Sequence, residues 1–127
     1  MPATLRRLAR DRAGDRCEYC HLAQSQSVLP FHVEHIIPRQ HGGATSGDNL
    51  ALACPHCNLH KGPNLTGIDP DSGKVCRLFH PRRDDWSEHF QRADARLTPL
   101  TAIGRTTVWV LDCNAEEQLR LRAAEQA

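Results

Sequence analysis

Aromatic side chains are scarce in this 127-residue chain, at 5% of residues, with two Trp, three Phe and one Tyr. So few rings are needed for packing, and Trp86 and Phe90 are expected to be core anchors, not platforms for stacked bases. No apolar run is long enough for a membrane span. The first residues, Met1 to Arg7, lack the apolar stretch of a secretory signal, so a cytoplasmic protein with reduced thiols is expected. No charge sign dominates either: 16 Lys and Arg face 15 Asp and Glu, a formal net charge of +1. That balance excludes a global positive field, so any nucleic acid would have to be held by local clusters. Such clusters occur at Arg6, Arg7, Arg10 and Arg12, at Arg39 and Lys61, and at Arg77, Arg82 and Arg83. There is no internal repeat and no low-complexity tract.

Cysteine is present in a pattern. Cys17 and Cys20 form one Cys-x-x-Cys pair, Cys54 and Cys57 a second. Two such turns supply four thiolates, enough for a closed tetrahedral zinc site. A redox dithiol would need only one pair, and no βαβ pattern surrounds either. A four-thiolate site has no open position, so this zinc would be structural. The stretch from Cys20 to Cys54 is longer than in a simple zinc ribbon and must hold structure of its own. Cys76 and Cys113 have no Cys-x-x-Cys partner and read as ordinary thiols.

The length suits one compact domain. Its expected parts are an N-terminal helix (1–16), a zinc-clamped core (17–62) and a C-terminal extension (63–127). Thr4 is expected to cap a helix from Leu5 to Ala13 that Gly14 stops. A strand is expected over Val28–Ile37, a polar loop over Pro38–Asp48, a returning strand over Asn49–Ala53, and a helix over Pro55–Lys61 stopped by Gly62 and Pro63. Beyond lie a turn-rich loop (63–73), a strand over Lys74–Phe79, and a helical turn near Asp84–Phe90 capped by Asp84 or Asp85. A strand over Ala95–Leu100 and a Thr101-capped helix to Leu111 follow. Last comes an amphipathic helix capped by Asn114, with Leu119 and Leu121.

Between the cysteine pairs stand Glu34-His35-Ile36-Ile37-Pro38, then Gly42-Gly43, then Asp48-Asn49-Leu50. Asn58 and Lys61-Gly62 follow the second pair. In this order and spacing, the segment from Cys17 to Gly62 resembles the HNH endonucleases, and within them a zinc-bearing subgroup. The resemblance implies an α+β fold: a small ββα-metal core clamped by the four-cysteine zinc site, with C-terminal strands and helices added. The later Leu78 to Arg82 and Trp86 to Phe90 also look like a pattern shared by small bacterial HNH proteins.

The resemblance implies roles residue by residue. His35 would be the general base on the attacking water, since imidazole exchanges a proton near neutral pH. Glu34 and Asn58 would hold a catalytic divalent metal, and Asn49 would brace the loop that orients His35. Oxygen donors favour Mg²⁺ or Mn²⁺; more imidazole would admit Ni²⁺ or Zn²⁺. Many members carry histidine where this chain has Asn58, though active families with asparagine there exist, so the departure bears on the choice of metal. His32 shares a strand face with Glu34 and is a further candidate ligand or substrate contact. His60 is a weaker one, two residues past Asn58 on a different helical face. Arg39, Lys61, Arg82 and Arg83 are candidates for gripping phosphate; Lys61 could equally be a cation favoured at a helix C-terminus.

The expected activity is thus metal-dependent hydrolysis of phosphodiester bonds in DNA, with one or both strands cut according to whether the protein works as a homodimer. The alternatives are a non-catalytic, zinc-stabilised nucleic-acid-binding module and a zinc-dependent interaction domain. A binding module would need the four cysteines but not Glu34, His35, Asn49 and Asn58 in that order.

Overall fold

Helix α1 (Ala3–Ala13) starts the chain in the computed structural model, which describes residues 1–125. Its N-cap is Pro2, with no side-chain cap from Thr4. It ends where expected, at Gly14, whose left-handed φ of 61° suits a residue without Cβ. Leu8 is exposed, and α1 docks through Ala9 and two arginines. Arg10 Nη2 donates to the Phe31 carbonyl at 2.8 Å and Arg12 Nη2 to that of Leu50 at 2.5 Å. Two cations expected to be available to nucleic acid thus hold the helix against the central hairpin.

That hairpin is strand β1 (His32–His35) paired antiparallel with β2 (Leu50–Ala53), with Glu34 opposite Ala51 and His35 opposite Leu50. All four β2 residues are buried, as a short apolar strand under a helix should be. Strand β1 is shorter than the expected Val28–Ile37. Pro30 has no N–H for a ladder, and the Gln24 side chain bonds the backbone of Leu29 and Phe31 on either side of it. Helix α2 (Pro55–Lys61) follows β2 directly and has the bounds read from the sequence. Cys54 caps it by accepting the Cys57 N–H, and Pro55 sits where a missing N–H costs nothing. Together β1, β2 and α2 make a ββα unit.

Two more hairpins follow. Strands β3 (Thr66–Ile68) and β4 (Val75–Arg77) pair, so the expected loop over 63–73 contains a strand. Helix α3 (Trp86–His89), capped by Asp85, leads into β5 (Phe90–Ala93), which pairs with β6 (Arg96–Pro99) and was not expected. Helix α4 (Ala102–Leu111) is capped by Thr101 as read, its hydroxyl accepting the Gly104 N–H. Helix α5 (Glu116–Ala124) departs from its reading. Ala115 precedes it with no side-chain cap, because the Asn114 amide is held by both backbone groups of Leu97. Its buried face is polar, Gln118 and Arg122, while Leu119 and Leu121 are half-buried.

The result is a small α+β fold of three short antiparallel hairpins and five α-helices among the described residues. One apolar cluster joins the cysteine turns, β2, Phe79, Phe90 and Leu111. Phe90 is fully buried and Trp86 packs against the same cluster, as core anchors should. No helix among the described residues is long and apolar enough to cross a membrane.

Candidate active site and zinc clamp

The four Cys-x-x-Cys thiols meet in the core. Cys17, Cys20, Cys54 and Cys57 are all fully buried, and their sulfurs lie within 4.8 Å of one another. Four sulfurs at about 2.3 Å around one ion stand roughly 3.8 Å apart, and Cys20 Sγ and Cys54 Sγ are separated by 3.8 Å. Each turn points a backbone N–H back at its first sulfur, Cys20 to Cys17 at 3.5 Å and Cys57 to Cys54 at 3.4 Å. Gln118 Nε2 adds donors to Cys54 Sγ at 3.6 Å and Cys20 Sγ at 3.8 Å. Donors aimed at sulfur suit thiolates. Burial pushes the Cys17 thiol well up, with neighbouring thiols adding to the rise, so four charges this close need a cation among them. A zinc ion fits this donor set.

A cleft opens along β1, the turn that follows it and α2. Its walls include His32, Glu34, His35 and Arg39 from β1 and the following turn, and Asn58 from α2, around about 360 Å³. Glu34 and Asn58, expected as a ligand pair, are therefore on one cleft with His35 and His32. His32 and Arg39 are exposed.

Glu34 is nearly enclosed, its side chain 9% exposed. Tyr19 Oη donates to Oε1 at 2.5 Å, and Lys61 Nζ lies 3.5 Å from Oε2. Burial pushes the Glu34 carboxyl up; the Lys61 charge and the Tyr19 hydrogen bond pull it back down without cancelling the rise. Burial also pushes the Tyr19 phenol well up, so it remains a donor. Lys61 corrects an expectation. It was a candidate phosphate contact, yet it is 2% exposed, with Nζ donating to the Ile36 carbonyl at 2.9 Å. Its charge serves Glu34 from inside the fold.

His35 is half-buried, with Nε2 2.8 Å from Thr45 Oγ1. Partial burial, then the positive charges of Arg39 and the N-terminus, hold its pKa below the usual value, so the ring is neutral at pH 7. Asn49 is buried behind it. Its amide accepts from Ile37 N at 2.9 Å and donates to the carbonyls of Ile37 at 3.0 Å and Ala44 at 2.9 Å. It grips both ends of the loop that carries Thr45 back to His35. Gly43 completes the turn, since a Cβ there would run into the Ile37 carbonyl and the Asn49 amide.

The remaining candidates separate. Arg82 pairs with Glu18 and reaches the Leu50 carbonyl, so it fastens the first cysteine turn to β2. Arg83 is exposed and lines a groove of about 410 Å³ that reaches Ile36 and Ile37. His60 is away from the cleft, its ring 4.2 Å from that of His56. Tyr19 and Thr45 were missed by sequence reasoning. Tyr19 looked like a spacer in a cysteine turn, and Thr45 has nothing to mark it within a polar loop.

A family model described as HNH endonuclease matches residues 17–64, the span from the first cysteine turn through α2. No curated protein and no solved structure matches the chain.

Proposed function

We propose, for a chain that belongs to the HNH endonuclease family through residues 17–64, that it hydrolyses phosphodiester bonds in DNA with a divalent metal, its core held by a structural zinc. The observation that carries this reading is the single cleft that gathers His35, Glu34 and Asn58 beside the four-cysteine clamp. A zinc module that only bound nucleic acid would have no use for a neutral, oriented imidazole next to a buried carboxylate.

The oxygen donors of Glu34 and Asn58 would hold Mg²⁺ or Mn²⁺, and the exposed imidazole of His32 widens the choice toward Ni²⁺ or Zn²⁺. Such an ion supplies positive charge against the phosphate as negative charge builds in the transition state. The protein's own groups do the rest. In the tautomer whose Nε2–H donates to Thr45 Oγ1, Nδ1 of His35 would keep its lone pair and take a proton from water in the cleft. Asn49, Gly43 and Thr45 hold that ring in one orientation. Lys61 and Tyr19 favour the ionised form of Glu34 against its burial and fix its carboxylate. Arg39, exposed on the wall of the cleft, would draw a phosphate to its mouth.

The test is plasmid conversion by the purified protein across Mg²⁺, Mn²⁺, Ni²⁺ and Zn²⁺, with His35→Ala in parallel. Nicked or linear product should require added metal and should fall by at least the ~100-fold that loss of a general base costs, while His35→Ala keeps its zinc and its thermal transition. Undiminished cleavage by His35→Ala would remove it as the base. No cleavage with any metal, from protein holding its zinc, would leave a nucleic-acid-binding module.

A further inference from the structure

We propose that His56, His60 and Asp112 form a further metal site, for a borderline divalent ion of the zinc or nickel class, on the face of α2 turned away from the cleft. His56 and His60 are four residues apart, hence neighbours on one face of the helix. Asn58 lies two residues from each and points the other way. The residue that ends α4, Asp112, closes the group: the three residues offer ligand atoms within 4.8 Å of one another.

Two features make this more than a surface coincidence. His56 Nε2 is 2.8 Å from the Asp112 backbone carbonyl. A carbonyl only accepts, so Nε2 carries the hydrogen, and Nδ1 is the ring nitrogen left to bind a metal. Histidines that bind metals characteristically donate their other ring N–H in this way, which fixes both tautomer and orientation. The Asp112 backbone is also fixed, in the left-handed region with φ 48°, its N–H bonded to the carbonyls of Trp109 and Val108. Two imidazoles and one carboxylate select Zn²⁺ or Ni²⁺ over Mg²⁺, and three protein ligands leave room for water. An ion there would tie α2, which carries Asn58, to the end of α4.

The experiment titrates Ni²⁺ into the full chain carrying its four-thiolate zinc, by calorimetry, beside His60→Ala, Asp112→Asn and His32→Ala. Asn tolerates left-handed backbone as Asp does, so Asp112→Asn removes charge without straining the turn. The parent should take up a Ni²⁺ ion that His60→Ala and Asp112→Asn each weaken by more than the ~10-fold cost of losing even an outer partner. His32→Ala should leave that ion in place, and elemental analysis should find the zinc retained in all four proteins. No Ni²⁺ uptake, or uptake abolished by His32→Ala and indifferent to His60 and Asp112, would overturn the proposal.

Discussion

Glu34 is pulled two ways. Its burial favours the neutral acid, while Lys61 and Tyr19 favour the carboxylate a metal would need. Lys61 is as buried as its partner, so removing its charge strands Glu34 in the core. Lys61→Met should therefore cost about 3 kcal/mol in urea unfolding, the lower end for a broken buried pair because Tyr19 still donates to Glu34. Adding Glu34→Gln to Lys61→Met should restore much of the loss, since no carboxylate is then left unpaired. A double variant no more stable than Lys61→Met would show that the pair is not coupled. Thr45 makes a separate claim. If its hydroxyl only holds the His35 ring, Thr45→Val should lower kcat about tenfold, the worth of one net hydrogen bond of about 1.4 kcal/mol. Thr45→Ser should recover most of it with KM little changed. Equal rates in Thr45→Val and the parent would release His35 from this partner.

Between residues and fold lie short elements, and some of these were readable while others were not. The bounds of α2 could be read because Pro55 and Gly62 punctuate it and Cys54 caps it. The meeting of the four cysteines could be read because Cys-x-x-Cys spacing is itself the geometry of a zinc-binding donor set. Strands β3 and β5 were hidden: three or four residues with a Gly67 or an Arg92 inside give no alternating pattern. The polar underside of α5 was hidden too, because Gln118 and Arg122 are buried by partners far along the chain, the cysteine sulfurs and the carbonyls of Ala95 and Cys113. Tyr19 escaped because its partner, Glu34, stands on β1, and Thr45 because nothing marks it within an exposed polar loop. One fastening between elements can be tested by pH. Asp84 accepts from both Nη atoms of Arg77 on β4, at 2.7 and 2.9 Å, and from the His80 N–H at 2.8 Å. Arg77 chiefly holds the Asp84 carboxyl below its ordinary value of 3.8. A depressed carboxyl adds stability above its unfolded pKa and loses it as pH falls toward the folded one. Stability should thus decline below about pH 4, and Asp84→Asn should be less stable at pH 7 with a flatter acid limb. Parallel acid limbs in the two proteins would place the acid sensitivity elsewhere.

At the scale of the whole molecule, charge is nearly balanced and much of it is internally spent. Arg16 and Arg92 meet Glu125, Arg77 meets Asp84, Arg82 meets Glu18, and Arg105 meets Asp69. Among the described residues, Arg39 at the cleft and Arg83 in the neighbouring groove are exposed without an ion pair, and so are Arg6 and Arg7 on α1. Each phosphate neutralised contributes about −0.9 to the slope of log K against log salt on duplex DNA. If those arginines carry the contact, His35→Ala protein binding a labelled duplex at constant Mg²⁺ should give a slope of about −2 to −4. Arg39→Ala should make it shallower by about 1, and Arg82→Ala should leave the slope unchanged while destabilising the first cysteine turn. A slope near −8 would mean that a much broader face touches the duplex. A shallow slope has a consequence for catalysis: weak electrostatic attachment leaves the cleft and its metal to supply much of the hold on the scissile phosphate, so affinity should rise when Mg²⁺ is replaced by Mn²⁺ and fall with Asn58→Ala. Affinity indifferent to both would mean that the duplex is held away from the cleft.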